Sequence, residues 1–319
     1  MLRAALLKKR QRKSISCCKS VERPKQQAEQ NKMDEAIKLA VIGYPVGQSL
    51  SPVIHSHWIE QHDLAGEYKA IEITPSNLKS SIAKLLDKGY RGFNVTIPFK
   101  QDIMDLCDGG IDDTARMIGA VNTIIVKDGR LHGTNTDAFG FSESLKLSGA
   151  SFAKTHALVL GAGGAARAIV YGLKQMGFKK ITIVNRTLTT AQEMAEDFAV
   201  EALPIEELYA AAKTADVLVN TTSLGMEGQP ELNFDVQQLP QHCVVCDIVY
   251  KPLYTQLLTD ARASGRQTVT GLGMLVHQAR LSFLKWFDVM PDDSTELQHK
   301  LQQKMHEQKE QAEQKESAA

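Results

Sequence analysis

Short apolar runs alternate with longer amphipathic stretches between residues 38 and 287. Lys38–Ile42 reads as a buried strand closed by Gly43, Pro45 and Gly47. Ser51-Pro52 then opens a helix, with Ser51 as N-cap and Pro52 at the first helical position. Glu67–Ile73 alternates as a strand does, and residues 76–87 carry a helical period that ends at Gly89. In the next strand Phe93, Val95 and Ile97 alternate with Asn94 and Thr96, until Pro98 stops the ladder because it has no N–H to donate. Helical stretches are expected at 101–107 and 111–118. Ala120–Val126 and Arg130–Thr134 flank Asp128-Gly129, a hairpin signal, and a helix is expected over 138–148.

The second half changes character. His156–Leu160, Ile181–Val184, Val217–Asn220, Val244–Val249 and Thr268-Val269 are apolar runs of buried-strand type. Helical stretches to about Met176 and over 253–263 separate some of them, and a last helix ends near Phe287. This is the βαβ alternation of a doubly wound parallel sheet. The first strand runs straight into Gly161-Ala162-Gly163-Gly164-Ala165-Ala166-Arg167 and a helix, the order a dinucleotide fold requires. Gly161 permits the tight turn, Gly163 lets the backbone approach a pyrophosphate, and Ala166 is the third small position against the sheet. After the second strand an NAD-selective site carries Asp or Glu for the ribose 2′-hydroxyl; here Asn185-Arg186-Thr187 stands instead. A guanidinium binds a 2′-phosphate that a carboxylate would repel, so the expected cofactor is NADP.

Composition narrows the function. The chain has 319 residues, 43% hydrophobic and 23% charged, with zero formal net charge. There is no general basic field for nucleic acid, and no apolar run approaches the roughly 20 residues of a membrane helix. Five scattered cysteines suit a reducing compartment, and Cys243 and Cys246 lie in an apolar run that reads as core. His55, His57 and His62 have no carboxylate or Cys spaced to complete a metal site; they read as surface helix histidines, and no metal is expected. Residues 1–35 begin basic and read as a disordered tail or as sequence ahead of a start at Met33, with a mitochondrial-type presequence as the alternative. Residues 291–319 are rich in Gln, Glu and Lys; they read as a polar tail, an exposed helix that builds no core.

Candidate chemistry gathers at strand ends. Asn94, Thr96 and Lys100 converge where the third strand finishes, two neutral hydrogen-bonding groups and one cation suited to a small polyhydroxylated substrate. Ser49 and Ser51 are spaced to share a side of an extended segment. Asp137 stands at a helix start, where the dipole favours a carboxylate.

From about Lys38 to Phe287 the chain resembles the shikimate dehydrogenase family. The resemblance rests on Ser49-Leu50-Ser51-Pro52, Asn94–Lys100, Gly119–Thr123, Asn135-Thr136-Asp137, Gly161–Arg167, Asn185-Arg186-Thr187, Asp247–Pro252 and Gly273–Gln278, in order and spacing. It implies an α/β protein of two domains, with the active site in the cleft between them. One is an N-terminal α/β substrate domain at 36–137, completed by a helix at about 276–290; the other is a Rossmann-type doubly wound parallel sheet at 138–275. It implies reversible NADPH-dependent reduction of 3-dehydroshikimate to shikimate, with Lys100 and Asp137 as the catalytic pair. Ser49 and Ser51 would bind the substrate carboxylate with Tyr250 nearby. Asn94, Thr96, Asn122, Asp137 and Gln278 would hold ring hydroxyls. Gly161–Ala165, Asn185, Arg186, Thr187 and Gly271 would hold NADP. A cytoplasmic monomer or homodimer is expected, without nucleic-acid or membrane partners. Ala138 stands where the family often has Gly, and the second basic residue many NADP-using members carry near Thr190 is missing. Relatives that also oxidise quinate are the enzyme alternative, which the two serines disfavour. A non-catalytic NADP-binding sensor is the alternative of another class; it would not need an acid–base Lys beside an Asp.

Overall fold

The structure, a computed structural model, describes residues 36–317; the readings made above for residues 1–35 lie outside them. Two six-stranded sheets carry the chain. The first contains β1 (Ile37–Gly43), β2 (Gly66–Glu72), β3 (Tyr90–Val95), β4 (Gly110–Ile111), β5 (Thr123–Lys127) and β6 (Arg130–Thr134), in the order β2-β1-β3-β5-β6-β4. It is mixed. β1 pairs in parallel with β2 and β3, whereas β5 is antiparallel to both β3 and β6. The β5–β6 hairpin turns on Asp128 and Gly129, both at positive φ, as a two-residue type I′ turn requires.

The second sheet holds β7 (His156–Leu160), β8 (Lys180–Val184), β9 (Glu201–Leu203), β10 (Val217–Asn220), β11 (Val244–Asp247) and β12 (Thr268–Val269). All its pairs are parallel, in the order β12-β11-β10-β7-β8-β9, which is the doubly wound arrangement expected. Strands buried on both faces need no alternation, which is why these runs are mostly apolar; their few buried polar side chains, such as Thr182, Asn220 and Asp247, are hydrogen-bonded. Cys243 and Cys246 fall into core clusters on opposite faces of this sheet, as core residues. Helices cover the sheets: α1 (Ser51–Gln61), α2 (Leu78–Asp87), α3 (Asp113–Ile118), α4 (Asp137–Leu147), α5 (Gly164–Gln175), α6 (Leu188–Phe198), α7 (Leu208–Ala212), α8 (Gln256–Ala263), α9 (Gly271–Phe287) and α10 (Thr295–Ser317). Helix α4 leads from the first sheet to the second and α9 leads back, and the two pack together.

Several expectations need correction. β3 ends at Val95, so Ile97 is not an inward strand residue but stands 58% exposed at the cleft rim. Residues 101–107 form a short 3-10 helix over Asp102–Leu106. Ser51 is the first residue of α1 rather than its cap; the cap is Leu50, and Ser49 Oγ accepts the Ser51 N–H at 3.2 Å. His55 and His57 are buried, because α1 is covered by α9 on one side and α10 on another. Helix α10 is more than an exposed tail: Leu297 and Leu301 are fully buried in the core around Trp58, and the Trp58 indole donates to the Asp292 carbonyl at 3.1 Å. Two leucines one turn apart escape notice in so polar a segment. The short strands β4 and β9 have too few residues to show a period.

No helix among the described residues is long and apolar enough to cross a membrane. Among them there is also no group of three His, Cys, Asp or Glu residues placed to hold a metal.

Candidate active site

A cleft of about 340 Å³ opens between the two sheets, within the range typical of small-molecule sites. The end of β3 and the segment after it bring Asn94, Thr96 and Lys100 to its floor. The turn after β1 brings Gln48, Ser49 and Ser51 to one end. Asn122 and Asp137 enter from the segments before β5 and at the start of α4. Ala165, Ile248, Tyr250, Lys251, Gly271 and Gln278 form the opposite wall. All nine residues expected to meet substrate therefore line one cleft, although they come from segments up to 229 positions apart in sequence, Ser49 to Gln278.

Lys100 and Asp137 are in direct contact, with Nζ 2.6 Å from Oδ2. Their side chains are 16% and 7% exposed, so the pair is largely screened from water without being sealed. Asp137 is fixed on every side. Its other oxygen accepts from the Asn122 carboxamide at 2.8 Å, and its N–H donates to Asn135 Oδ1 at 2.9 Å. As the first residue of α4 it also sits at the positive end of a helix. Asn122 donates to Thr136 Oγ1 at 2.9 Å as well, and its oxygen accepts the Thr136 N–H at 2.8 Å. Gln278 stands close behind, with Oε1 3.4 Å from Asn122 Nδ2. Asn122 thus supports the carboxylate and Gln278 stands against Asn122, while both also face the cleft.

At the other end, burial raises the Tyr250 phenol above its ordinary pKa, so it presents a neutral hydroxyl. Lys251 bridges elements: its amine donates to Gln308 Oε1 of α10 at 2.7 Å and to Gln48 Oε1 at 3.2 Å. The helix α10 is thereby tied to the wall of the cleft. Beneath this loop Asp247 accepts from Asn220, Thr255 and the Val249 N–H, and burial still pushes its carboxyl up to about 6.

The Gly-rich turn faces the same space. Gly161 has φ +105°, and a Cβ there would meet Thr221 and Thr222 at the point where the strand order reverses. A Cβ on Gly163 would meet nothing within 4 Å, so the backbone is open to a close approach. Helix α5 begins at Gly164 with no side-chain cap, leaving its first N–H groups for a ligand. A Cβ at Gly164 would lie 4.0 Å from that of Lys100, so the cation and the phosphate-type cradle adjoin. Asn185 Nδ2 closes its own turn on the Thr187 carbonyl at 2.9 Å. Arg186 is exposed and takes no hydrogen bond or ion pair among the described residues. Gly271 starts α9 pressed against the Ile248 carbonyl, where no side chain fits.

Tyr68, Thr123, Thr136 and Ser282 support this cleft and were not singled out from sequence. Thr123 and Thr136 lie inside motifs noted for their neighbours, and Ser282 follows Gln278 by four residues on one helix face. Tyr68 carried no signal beyond an alternating strand.

The geometry agrees with what the chain is similar to. Residues 41–124 match the family model described as shikimate dehydrogenase substrate binding domain, and residues 143–227 match the one described as shikimate / quinate 5-dehydrogenase. A shikimate dehydrogenase (NADP(+)) of Mesorhizobium japonicum is 47% identical over 272 residues, 83% of this chain and 96% of that one. One from Azorhizobium caulinodans is 44% identical over 258 residues, 80% of this chain and 92% of the relative. The crystal structure of shikimate 5-dehydrogenase from Thermus thermophilus in complex with NADP(H) and shikimate superposes with a TM-score of 0.77 at 36% identity, covering 84% of this chain and 99% of that one. Sequence, sheet order and the lining of the cleft therefore lead to one assignment: the chain belongs to the shikimate dehydrogenase family.

Proposed function

We propose that the chain catalyses the reversible NADPH-dependent reduction of 3-dehydroshikimate to shikimate, a step of chorismate and aromatic amino-acid biosynthesis. The observation that carries this reading is the Lys100–Asp137 pair, which stands in the cleft against the Gly-rich turn. We read residues 36–137 with the helix at about 276–290 as the substrate-binding domain, and 138–275 as the NADP-binding domain.

The residues present suit NADP. The open approach at Gly163 and the uncapped start of α5 suit a pyrophosphate, and the unpaired Arg186 suits a 2′-phosphate. Gly161, Ala162, Gly164, Ala165, Asn185, Thr187 and Gly271 complete the cofactor surface. When bound, the nicotinamide supplies the hydride. Lys100 places a positive charge and a proton at the ketone oxygen, where negative charge develops as the carbon is reduced. Asp137 holds that ammonium in position at 2.6 Å, and Asn122 holds Asp137. In the oxidising direction Lys100 takes the proton back from the hydroxyl. Ser49, Ser51 and the neutral Tyr250 bind the substrate carboxylate. Asn94, Thr96, Asn122, Asp137 and Gln278 hold the ring hydroxyls.

One chain supplies the whole cleft, so a monomer or a homodimer suffices. The three described cysteines are free and buried, which suits the cytoplasm. The test is the absorbance of reduced cofactor after mixing the full chain with shikimate or quinate, each with NADP or NAD. Reduction confined largely to shikimate with NADP supports the proposal. Comparable rates with quinate or NAD assign the chain to the dual-specificity relatives. NADP binding without turnover of any pair makes it a sensor.

A further inference from the structure

Asn94 stands at the end of β3 on the floor of the cleft, and its carboxamide is held at both ends. Its Nδ2 donates to the Asn122 carbonyl at 3.2 Å and lies 3.0 Å from the hydroxyls of both Thr123 and Ser282. A carbonyl only accepts, so this contact decides which end of the amide is the nitrogen. The oxygen faces the other way, where the Tyr68 phenol donates to it at 2.6 Å.

Neither Tyr68 nor Ser282 lines the cleft; both are buried behind it. Tyr68 cannot swing aside, because its ring is stacked on His55 with centroids 4.2 Å apart and planes 14° from parallel. Ser282 is pinned by Thr123 at 2.8 Å, Thr136 at 3.2 Å and the Gln278 carbonyl at 3.2 Å.

We propose that Tyr68 and Ser282 are positioning residues of the substrate site, clamping the Asn94 carboxamide in one orientation and so setting the polarity with which it meets a ring hydroxyl. With either clamp removed, the Asn122 carbonyl and the Thr123 hydroxyl still hold the nitrogen, but the carboxamide is freer to tilt out of this orientation. A substrate hydroxyl then meets a misaligned partner for part of the time, and binding weakens. Neither residue contacts Lys100 or Asp137, and Ser282 reaches Asp137 only at second hand, through Thr136 and Asn122, so turnover of bound substrate changes less than binding does. Residues that merely fill the core would instead lower stability, at the same cost whether or not Asn94 is present.

The clamp rests on the function proposed above, and the experiment separates the two. Tyr68→Phe, Ser282→Ala, Asn94→Ala and the two double variants are made in the full chain. Shikimate KM and kcat are measured at saturating NADP, and shikimate Kd by calorimetry. Each of Tyr68→Phe and Ser282→Ala is expected to raise KM and Kd by about 3- to 10-fold, the worth of one net hydrogen bond, and to leave kcat within about twofold. On the Asn94→Ala background each is expected to add less than about twofold, since contacting residues are not additive. Unchanged KM in both single variants overturns the clamp, and so does an equal cost with and without Asn94. If one variant fails to fold, the other carries the same cycle. Wild-type chain that binds and turns over shikimate beside indifferent variants sinks the clamp alone. Wild-type chain that does neither sinks the proposed function, and the clamp with it.

Discussion

His55 makes acid stability the sharpest physical test of this structure. Its ring is fully buried, stacked on Tyr68 and edge-on to Trp58, and neither ring nitrogen has a hydrogen-bond partner. Burial pulls its pKa from the ordinary 6.5 down to about 3. The folded chain therefore binds this proton less tightly than the unfolded chain. The stabilisation is fully present above pH 6.5 and drains away as pH falls towards 3. Between pH 7 and pH 4 the loss is about 3 kcal/mol. Asp247 works in the opposite direction. Its carboxyl is raised from 3.8 to about 6, so the folded state holds that proton more tightly. Acidification over the same interval returns about 2 kcal/mol. Replacing His55 with Phe keeps a ring against Tyr68 and removes the titration. The measurement is unfolding free energy by urea and circular dichroism at pH 7 and pH 4, for wild type and His55→Phe. Comparing each protein with itself cancels any packing cost that does not depend on pH. Wild type is expected to lose about 3 kcal/mol more than the variant across the interval. Parallel pH dependences, within about 1 kcal/mol, would refute the buried neutral histidine.

Four further outcomes follow from the site and the core. Lys100→Met is expected to lower kcat by about 10²- to 10⁴-fold, the usual worth of a positioned acid–base group; single-turnover kinetics check it, and near-wild-type kcat would remove Lys100 from the chemistry. Asp137→Asn is expected to lose about tenfold or more in both kcat and shikimate affinity, because the charge-assisted contact to Lys100 goes with it; steady-state kinetics with shikimate decide. Arg186→Ala is expected to raise KM for NADP by about tenfold while leaving KM for NAD within about twofold, as loss of a phosphate contact should. Leu297→Ala removes a fully buried side chain from the α10–α1 contact; urea unfolding is expected to show a loss of about 2–5 kcal/mol, and an unchanged midpoint would mean that α10 adds nothing to the core.

Much of this protein is decided locally. Mostly apolar runs followed by Gly-rich or polar turns mark the parallel sheet, because strands covered on both faces take polar side chains only where a hydrogen bond satisfies them. Gly161, at positive φ and pressed against Thr221 and Thr222, is a backbone requirement that glycine satisfies, so the Gly-rich turn is legible in sequence order. The hairpin at Asp128-Gly129 is legible for the same reason. Other features depend on what lies opposite. Ile97 alternates correctly for an inward position but is exposed, since β3 ends two residues earlier. His55 lies on a helix face of mixed polarity, and only the arrival of Tyr68, Phe283 and Trp286 seals it from water. Leu297 and Leu301 lie in a segment too polar to promise a core, yet packing against α1 buries them. The sequence by itself determined the residue types that can do the chemistry and the local turns that present them. The tertiary structure alone decided that Lys100 meets Asp137 and that Tyr68 and Ser282 stand behind Asn94. Those contacts join residues 26 to 188 positions apart, and no local period or turn preference encodes a separation of that length.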